Sequence, residues 1–288
     1  MHLVTLFSEQ PAFFAALAGL LGLLIGSFLN VVIYRLPIMM EREDRTLCAE
    51  LLGQASETKP VFNLWTPRSR CSSCEHLIGA LENIPVISYI LQRGRCKHCG
   101  VAISPQYPLI EAATALLSAI VAWQLGWSWQ AGAALLLTWC LIVLSGIDFK
   151  HMILPDKITL PLIWLGLLLA LFSFFTDLRS SVIGAMAGYL SLWSIYHLFR
   201  LLTGKEGMGY GDFKLLAALG AWQGWQMLLP IVLLSSLVGA LIGIAMMLLL
   251  GRDHRIPMPF GPFLAAAGWL SLLWGEQIQQ VLFQSLRF

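Results

Sequence analysis

Eight apolar stretches dominate the chain, near residues 11 to 34, 108 to 125, 131 to 147, 158 to 175, 181 to 202, 212 to 228, 230 to 250 and 258 to 281. Each is close to the roughly 20 residues that a helix needs to cross a bilayer, and the pattern predicts eight transmembrane helices. Composition points the same way: 58% of the 288 residues are hydrophobic and 12% charged, far from the surface of a water-soluble domain. The expected fold class is therefore an all-α polytopic membrane protein whose solvent is the lipid bilayer. Residues 11 to 34 form too long an apolar run for a signal peptide. No basic region precedes them and no small-residue cleavage site comes after, so they are expected to stay as the first span.

One connection breaks the pattern. Residues 35 to 107 are too long for an ordinary loop and differ in composition from the apolar remainder of the chain. The expected organisation is a first span over 1 to 34, a polar domain over 35 to 107, and a membrane domain of about seven helices over 108 to 288. Residues 41 to 60 read as a solvated insertion with one short helix.

Basic residues orient the spans, because short cytoplasmic loops are rich in Lys and Arg. Arg35, Arg42, Arg45, Lys59, Arg68, Arg70, Arg93, Arg95 and Lys97 lie in the first connection. On the same side fall Lys150 and Lys157, then Arg200, Lys205 and Lys214, then Arg252 and Arg255. The opposite loops hold only Arg179, and the tail only Arg287. Both termini are expected outside, with the first loop in the cytoplasm. A net charge of +2 gives no support to a nucleic-acid partner.

Within the first loop, Cys71-Ser72-Ser73-Cys74 and Cys96-Lys97-His98-Cys99 are two C-x-x-C pairs separated by 21 residues. Each pair grips a metal from one tight turn, and four thiolates complete the tetrahedral shell of a structural Zn²⁺. Unligated thiols or disulfides are the alternative, disfavoured in a reducing compartment. His98 is expected to stand outside the ligand set, and Cys48 and Cys140 to be ordinary thiols. A closed four-cysteine site has no open position for substrate, so the reaction has to be sought elsewhere.

Two carboxylates at the edges of apolar segments supply it. Asp148 ends the third stretch and Asp212 begins the sixth, closing Gly209-Tyr210-Gly211-Asp212. An ionisable group beside hydrocarbon is a functional-site hypothesis by default. Two complete spans separate them, so the chain returns to one membrane face, the cytoplasmic one by the basic-residue pattern. Paired carboxyls, one ionised and one protonated, can activate water and protonate a leaving amine. Helix polarity suggests Asp212 as the ionised base at a helix N-terminus and Asp148 as the protonated acid at a C-terminus. The competing readings are a simple N-cap for Asp212 and an interfacial ion pair for Asp148. Asp156, after Pro155, is a rival carboxylate that reads better as an N-cap.

The chain resembles the type IV prepilin peptidases. The resemblance rests on the entry Gly26-Ser27-Phe28-Leu29-Asn30-Val31-Val32-Ile33-Tyr34-Arg35-Leu36-Pro37, the paired C-x-x-C loop, and Asp148 followed by Gly-x-Gly-Asp212. Shorter matches are Glu82-Asn83-Ile84-Pro85, Arg93-Gly94-Arg95-Cys96, Tyr107-Pro108-Leu109-Ile110-Glu111 and Pro259-Phe260-Gly261-Pro262. It implies an inner-membrane enzyme that cuts a basic leader from prepilins and type II secretion pseudopilins after a glycine, on the cytoplasmic side. It also implies N-methylation of the new terminus, with S-adenosylmethionine as donor. Carried over by motif, Asp148 and Asp212 are the catalytic dyad and Cys71, Cys74, Cys96 and Cys99 the zinc ligands. No Rossmann-type glycine fingerprint is present, so methylation is implied by the resemblance alone. Glu82, Gly94 and Glu111, with Asn30, Arg35 and Asn83, are the candidates for contact with the donor or the new amine. The alternatives are a membrane aspartyl protease without methyltransferase activity and a non-catalytic zinc-ribbon scaffold of a secretion system. A transporter would place its polar residues near the bilayer midplane, where these spans are apolar.

Overall fold

The structure, a computed structural model, describes residues 10–53, 61–71, 73–205, 207–250 and 258–285. Lys59, Arg252, Arg255 and Arg287, four of the basic residues that orient the loops, lie outside these residues, as does part of the 41 to 60 insertion. The described residues are almost wholly helical and form no β-strand. They divide into two compact units, one up to Trp127 and one from Ser128.

The first unit contains α1 (Pro11–Leu51), the short α2 (Ile87–Leu91) and α3 (Gln106–Leu125). At 41 residues, α1 is roughly 60 Å long, so it runs well past the hydrocarbon thickness. Residues expected to open a separate insertion, 41 to 51, continue this helix without a break. Close packing of α1 on α3 needs small residues: a Cβ on Gly26 would lie 2.8 Å from the Glu111 Cα. Between the two helices, the buried polar side chains of α1 and α3 hold the intervening backbone. Asn30 Nδ2 donates to the Tyr107 carbonyl (3.1 Å), and Glu111 accepts from the Val86 N–H (2.8 Å).

The second unit contains α4 (Trp129–His151), α5 (Asp156–Ala170), α6 (Leu178–Thr203), α7 (Tyr210–Gln223), α8 (Leu228–Leu250) and α9 (Gly261–Ser285). Side-chain caps set two of the starts: Ser128 accepts from the Ala131 N–H and Asp177 from the Ser180 N–H. At the centre is α7, buried from Asp212 to Gln223 apart from Lys214, which is half-buried. A helix apolar on all sides has to be surrounded. Its neighbours pin it with polar bonds as well: Trp222 Nε1 donates to the Leu162 carbonyl, Gln223 Nε2 to the Gly268 carbonyl, and Ser181 Oγ to the Ala221 carbonyl.

The eight long helices correspond one for one with the eight predicted stretches, but they are unequal. Five of them, α1, α3, α4, α6 and α8, are long and apolar enough to cross a membrane. α5 has 15 residues and α7 has 14, about 22 and 21 Å, shorter than the hydrocarbon layer. α9 is 25 residues long but carries Glu276, Gln277, Gln279 and Gln280 beyond a kink at Trp274. The chain is a multi-pass membrane protein in which the short α7 is enclosed by protein within the second unit, whereas the short α5 keeps one face exposed, with Trp164 and Leu168 on it.

Gly184 on α6 and Gly220 on α7 meet back to back, and a Cβ on either would run into the other's carbonyl oxygen. Gly184→Ala is expected to cost about 1–3 kcal/mol by overpacking, read as a lower melting temperature in detergent. Gly132→Ala, whose Cβ would meet open space within α4, should not lower the melting temperature.

Candidate active site and thiol cluster

Four helix ends converge at one end of the second unit, and both aspartates are there. Asp148 sits in the last turn of α4 and Asp212 in the first turn of α7, 5% and 7% exposed. The Gly261 N–H, at the start of α9, donates to Asp148 Oδ2 at 3.0 Å across 113 residues of chain. Leu154 fills the space between these parts: a Cβ on Gly211 would lie 2.7 Å from its Cβ, and one on Gly261 3.1 Å from its Cδ2.

The two carboxyls are supplied unequally. Asp148 has a backbone donor. Asp212 turns one oxygen toward the Gly209 backbone, while its Oδ1 is buried with no hydrogen-bond partner. This reverses the assignment expected from helix polarity. Each aspartate's own helix favoured charge on Asp212, but the N-terminus of a different helix, α9, aims its amide at Asp148. Asp148 thus has a fixed N–H donor, while one oxygen of Asp212 has no partner among the described residues.

Asp156, the rival carboxylate, is occupied. Lys214 Nζ reaches both of its oxygens at 2.7 Å, tying the start of α5 to the start of α7. Asp156 is the first residue of α5 and Pro155 holds the cap position, so it does not act as the N-cap expected from the sequence.

In the first unit, the four cysteines come together as predicted. The Sγ atoms of Cys71, Cys74, Cys96 and Cys99 all lie within 4.8 Å of one another, and Cys71 and Cys99 are 3.8 Å apart. A tetrahedron with metal–sulfur bonds of about 2.3 Å has edges of roughly 3.8 Å. The backbone N–H groups of Cys74 and Ser73 pull the Cys71 thiol down to about 6. The His76 amide favours the Cys74 thiolate too, but loss of water and the neighbouring thiols push Cys74 up to about 11. Four thiolates this close cannot coexist without a cation, and the set has the chemistry and spacing to hold a zinc ion. His98 stacks on His76, centroids 4.5 Å apart, outside the thiol set.

The two knuckles repeat each other at an offset of 25 residues. Arg70 bridges to Leu77 and Arg95 to Ala102. The Cys71 N–H donates to the His76 carbonyl and the Cys96 N–H to the Val101 carbonyl, while the Glu75 and Gly100 N–H groups return to Cys71 and Cys96. Glu75 and Gly100 both have positive φ, 55° and 73°. The sequence carries this repeat as Arg-Cys-x-x-Cys-x-x-x-Ile, a signal wider than the cysteines alone.

The remaining candidates have structural partners. Glu82 accepts from the Gly79 N–H (3.1 Å) at the start of a 3₁₀ turn. Gly94 has φ of 66° beneath the Tyr89 ring, and its carbonyl accepts from the Ile103 N–H. Glu111 is buried and holds Val86. Sequence reasoning gave Gly261 and Leu154 no role. A glycine between two prolines at a helix start was the available signal for the first, and Leu154 offered none.

Residues 20–125 match the Bacterial Peptidase A24 N-terminal domain, and residues 135–244 match the Type IV leader peptidase family. The chain is 53% identical to a Prepilin leader peptidase/N-methyltransferase of Stutzerimonas stutzeri, over 99% of each chain. It is 53% identical, over the full length of both, to one from Pseudomonas aeruginosa, and 56% identical to one from Aeromonas hydrophila over 93% of each. The chain belongs to the type IV leader peptidase family. No solved structure matches it. The two matched regions of this family fall one in each compact unit, the thiol cluster in the first and both aspartates in the second.

Gly100→Ala is expected to weaken the thiol cluster by about 1 kcal/mol, purely through its left-handed backbone, since a Cβ there meets nothing within 4 Å. Titration of bound metal with a competing chelator measures it, as roughly fivefold easier removal.

Proposed function

We propose that this chain is a prepilin leader peptidase and N-methyltransferase of the bacterial inner membrane. It cuts the basic leader from type IV prepilins and type II secretion pseudopilins after a glycine, then methylates the new N-terminus. The observation that carries the cleavage reading is the pair of buried aspartates, one with a backbone donor and one with an orphaned oxygen. The relatives from Stutzerimonas, Pseudomonas and Aeromonas support the methylating activity, and no glycine fingerprint of the sequence does.

In this reading Asp148 takes a proton from water, whose oxygen attacks the scissile carbonyl carbon. Asp212 gives its proton to the carbonyl oxygen, forming a neutral gem-diol. Asp148 then passes its proton to the leaving nitrogen as the C–N bond breaks, and Asp212 recovers its proton from the diol. The products are a carboxylic acid on the leader and a free amine on the mature chain. The enclosing apolar helices keep other water away from the pair. Lys150, Lys157, Lys205 and Lys214 near this end of the spans favour a cytoplasmic site, where the boundary between a basic leader and an apolar pilin helix would lie.

Cys71, Cys74, Cys96 and Cys99 would hold a structural zinc ion that fixes a loop with little apolar core of its own. S-adenosylmethionine supplies an electrophilic methyl group. The chain's part is to hold the free amine in its neutral form and in line, and to release one proton as the N–C bond forms.

Asp148→Asn and Asp212→Asn are each expected to lower cleavage by roughly 10³-fold or more with folding retained. Gel shift of a prepilin in detergent reads this, and a normal rate in either variant would remove the dyad. Mass spectrometry of the wild-type product should show one added methyl group, and its absence would leave a peptidase alone.

Gly261→Ala places a methyl group 2.7 Å from Asp148 Oδ2 and displaces it. The expected loss is about 10²-fold in kcat with little change in KM.

A further inference from the structure

Among the described Lys and Arg residues, Arg35 alone is buried, 7% exposed. Its Nη1 donates to the Asn63 carbonyl (2.9 Å), its Nη2 to the Pro67 carbonyl (2.6 Å), and its guanidinium lies 5.6 Å from the centre of the Phe62 ring. All three partners are neutral, and no carboxylate within the described residues pairs with it. A buried charge whose described partners are all neutral is costly, and it points to an anionic group that completes the site.

Beside Arg35 opens a cavity of about 320 Å³, within the range of small-molecule sites. Phe28 and Trp65 form its aromatic wall, stacked with centroids 5.8 Å apart and planes at 26°. Ser27, Ser69 and Asn83 supply polar edges. We propose that this cavity is the methyl-donor site. The amino-acid carboxylate of S-adenosylmethionine lies on the free N–H groups of Arg35, and its purine and sulfonium lie along Phe28 and Trp65. Aromatic faces suit both a flat base and a cation. The proposal rests on the methyltransferase reading and adds a place to it.

Glu111 is a positioning residue for this cavity. From α3 its carboxylate accepts from the Val86 N–H at 2.8 Å. Val86 is held at φ 60°, a conformation few non-glycine residues adopt, and Asn83 and Pro85 just before it line the cavity. One buried carboxyl thus fixes the wall that Asn83 and Pro85 form.

The test uses the full chain in detergent, with tritiated S-adenosylmethionine in equilibrium dialysis, N-methylation by mass spectrometry and prepilin cleavage by gel shift. Trp65→Ala and Ser69→Trp are expected to weaken donor binding at least ~10-fold and methylation with it, with cleavage by the aspartates within about twofold. Trp65→Phe should recover most of the binding. On the unaltered protein, a photoactivatable azido-adenosyl analogue of the donor should label residues 24–35 or 61–69. Labelling confined elsewhere, or unchanged donor affinity in both variants while the wild type binds and methylates, overturns the site and leaves the methyltransferase reading standing. Equal loss of cleavage and methylation with donor binding intact assigns the cavity to the peptide and overturns the site too. A wild-type chain that cuts but neither binds donor nor methylates overturns the methyltransferase reading and the site together.

Discussion

The bond from the Gly261 N–H to Asp148 is the constraint on which the second unit is organised. A carboxylate removed from water needs a donor, and a hydrogen bond to a charged group contributes about 1.5–3 kcal/mol. No residue near Asp148 in sequence supplies one, because a helix C-terminus presents carbonyls. The start of α9 has to be brought there across 113 residues. Glycine at that position allows the approach, and Leu154 seals the space between Gly261 and Gly211.

The other tie at this end is weaker. Asp156 and Lys214 meet at 2.7 Å, but their side chains are 52% and 25% exposed, and such a pair contributes at most about 1 kcal/mol. What fixes Asp212 is the packing of α7, buried nearly throughout and pinned by Trp222, Gln223 and Ser181. In lipid the gain comes from close contact and polar bonds, since hydrocarbon outside is as apolar as leucine. Gly184 against Gly220 is that contact at its closest.

Much of this was legible in the sequence, and the exceptions share a cause. The apolar stretches located all eight long helices, because helix and membrane impose their periods locally. The cysteine pairs came together because each knuckle is a local turn. Asp148 and Asp212 were picked out by cost alone, as charges beside hydrocarbon. Their unequal environments were read the wrong way round, because helix polarity was taken from each aspartate's own helix. The amide that decides the matter belongs to α9. The lengths of α5 and α7 were also missed: a short apolar helix and a spanning helix share one apolar signature. Residues 41 to 51 looked like an insertion because they are polar, yet helix continues wherever local propensity allows it.

The two units treat buried ionisable groups in the same way. Each places one beyond the reach of water, gives it backbone partners, and leaves one requirement unmet. In the second unit the unmet requirement is the oxygen of Asp212, which has no donor among the described residues. In the first it is the charge of Arg35, whose two carbonyl partners neutralise nothing. A structural salt bridge would have met both requirements within the fold, as Asp156 and Lys214 do at the surface. Leaving them open costs stability, and such a cost persists where a reactant or ligand completes the site. The same physical test that singled out the aspartates from sequence, a charge where charge is expensive, therefore singles out Arg35 from structure.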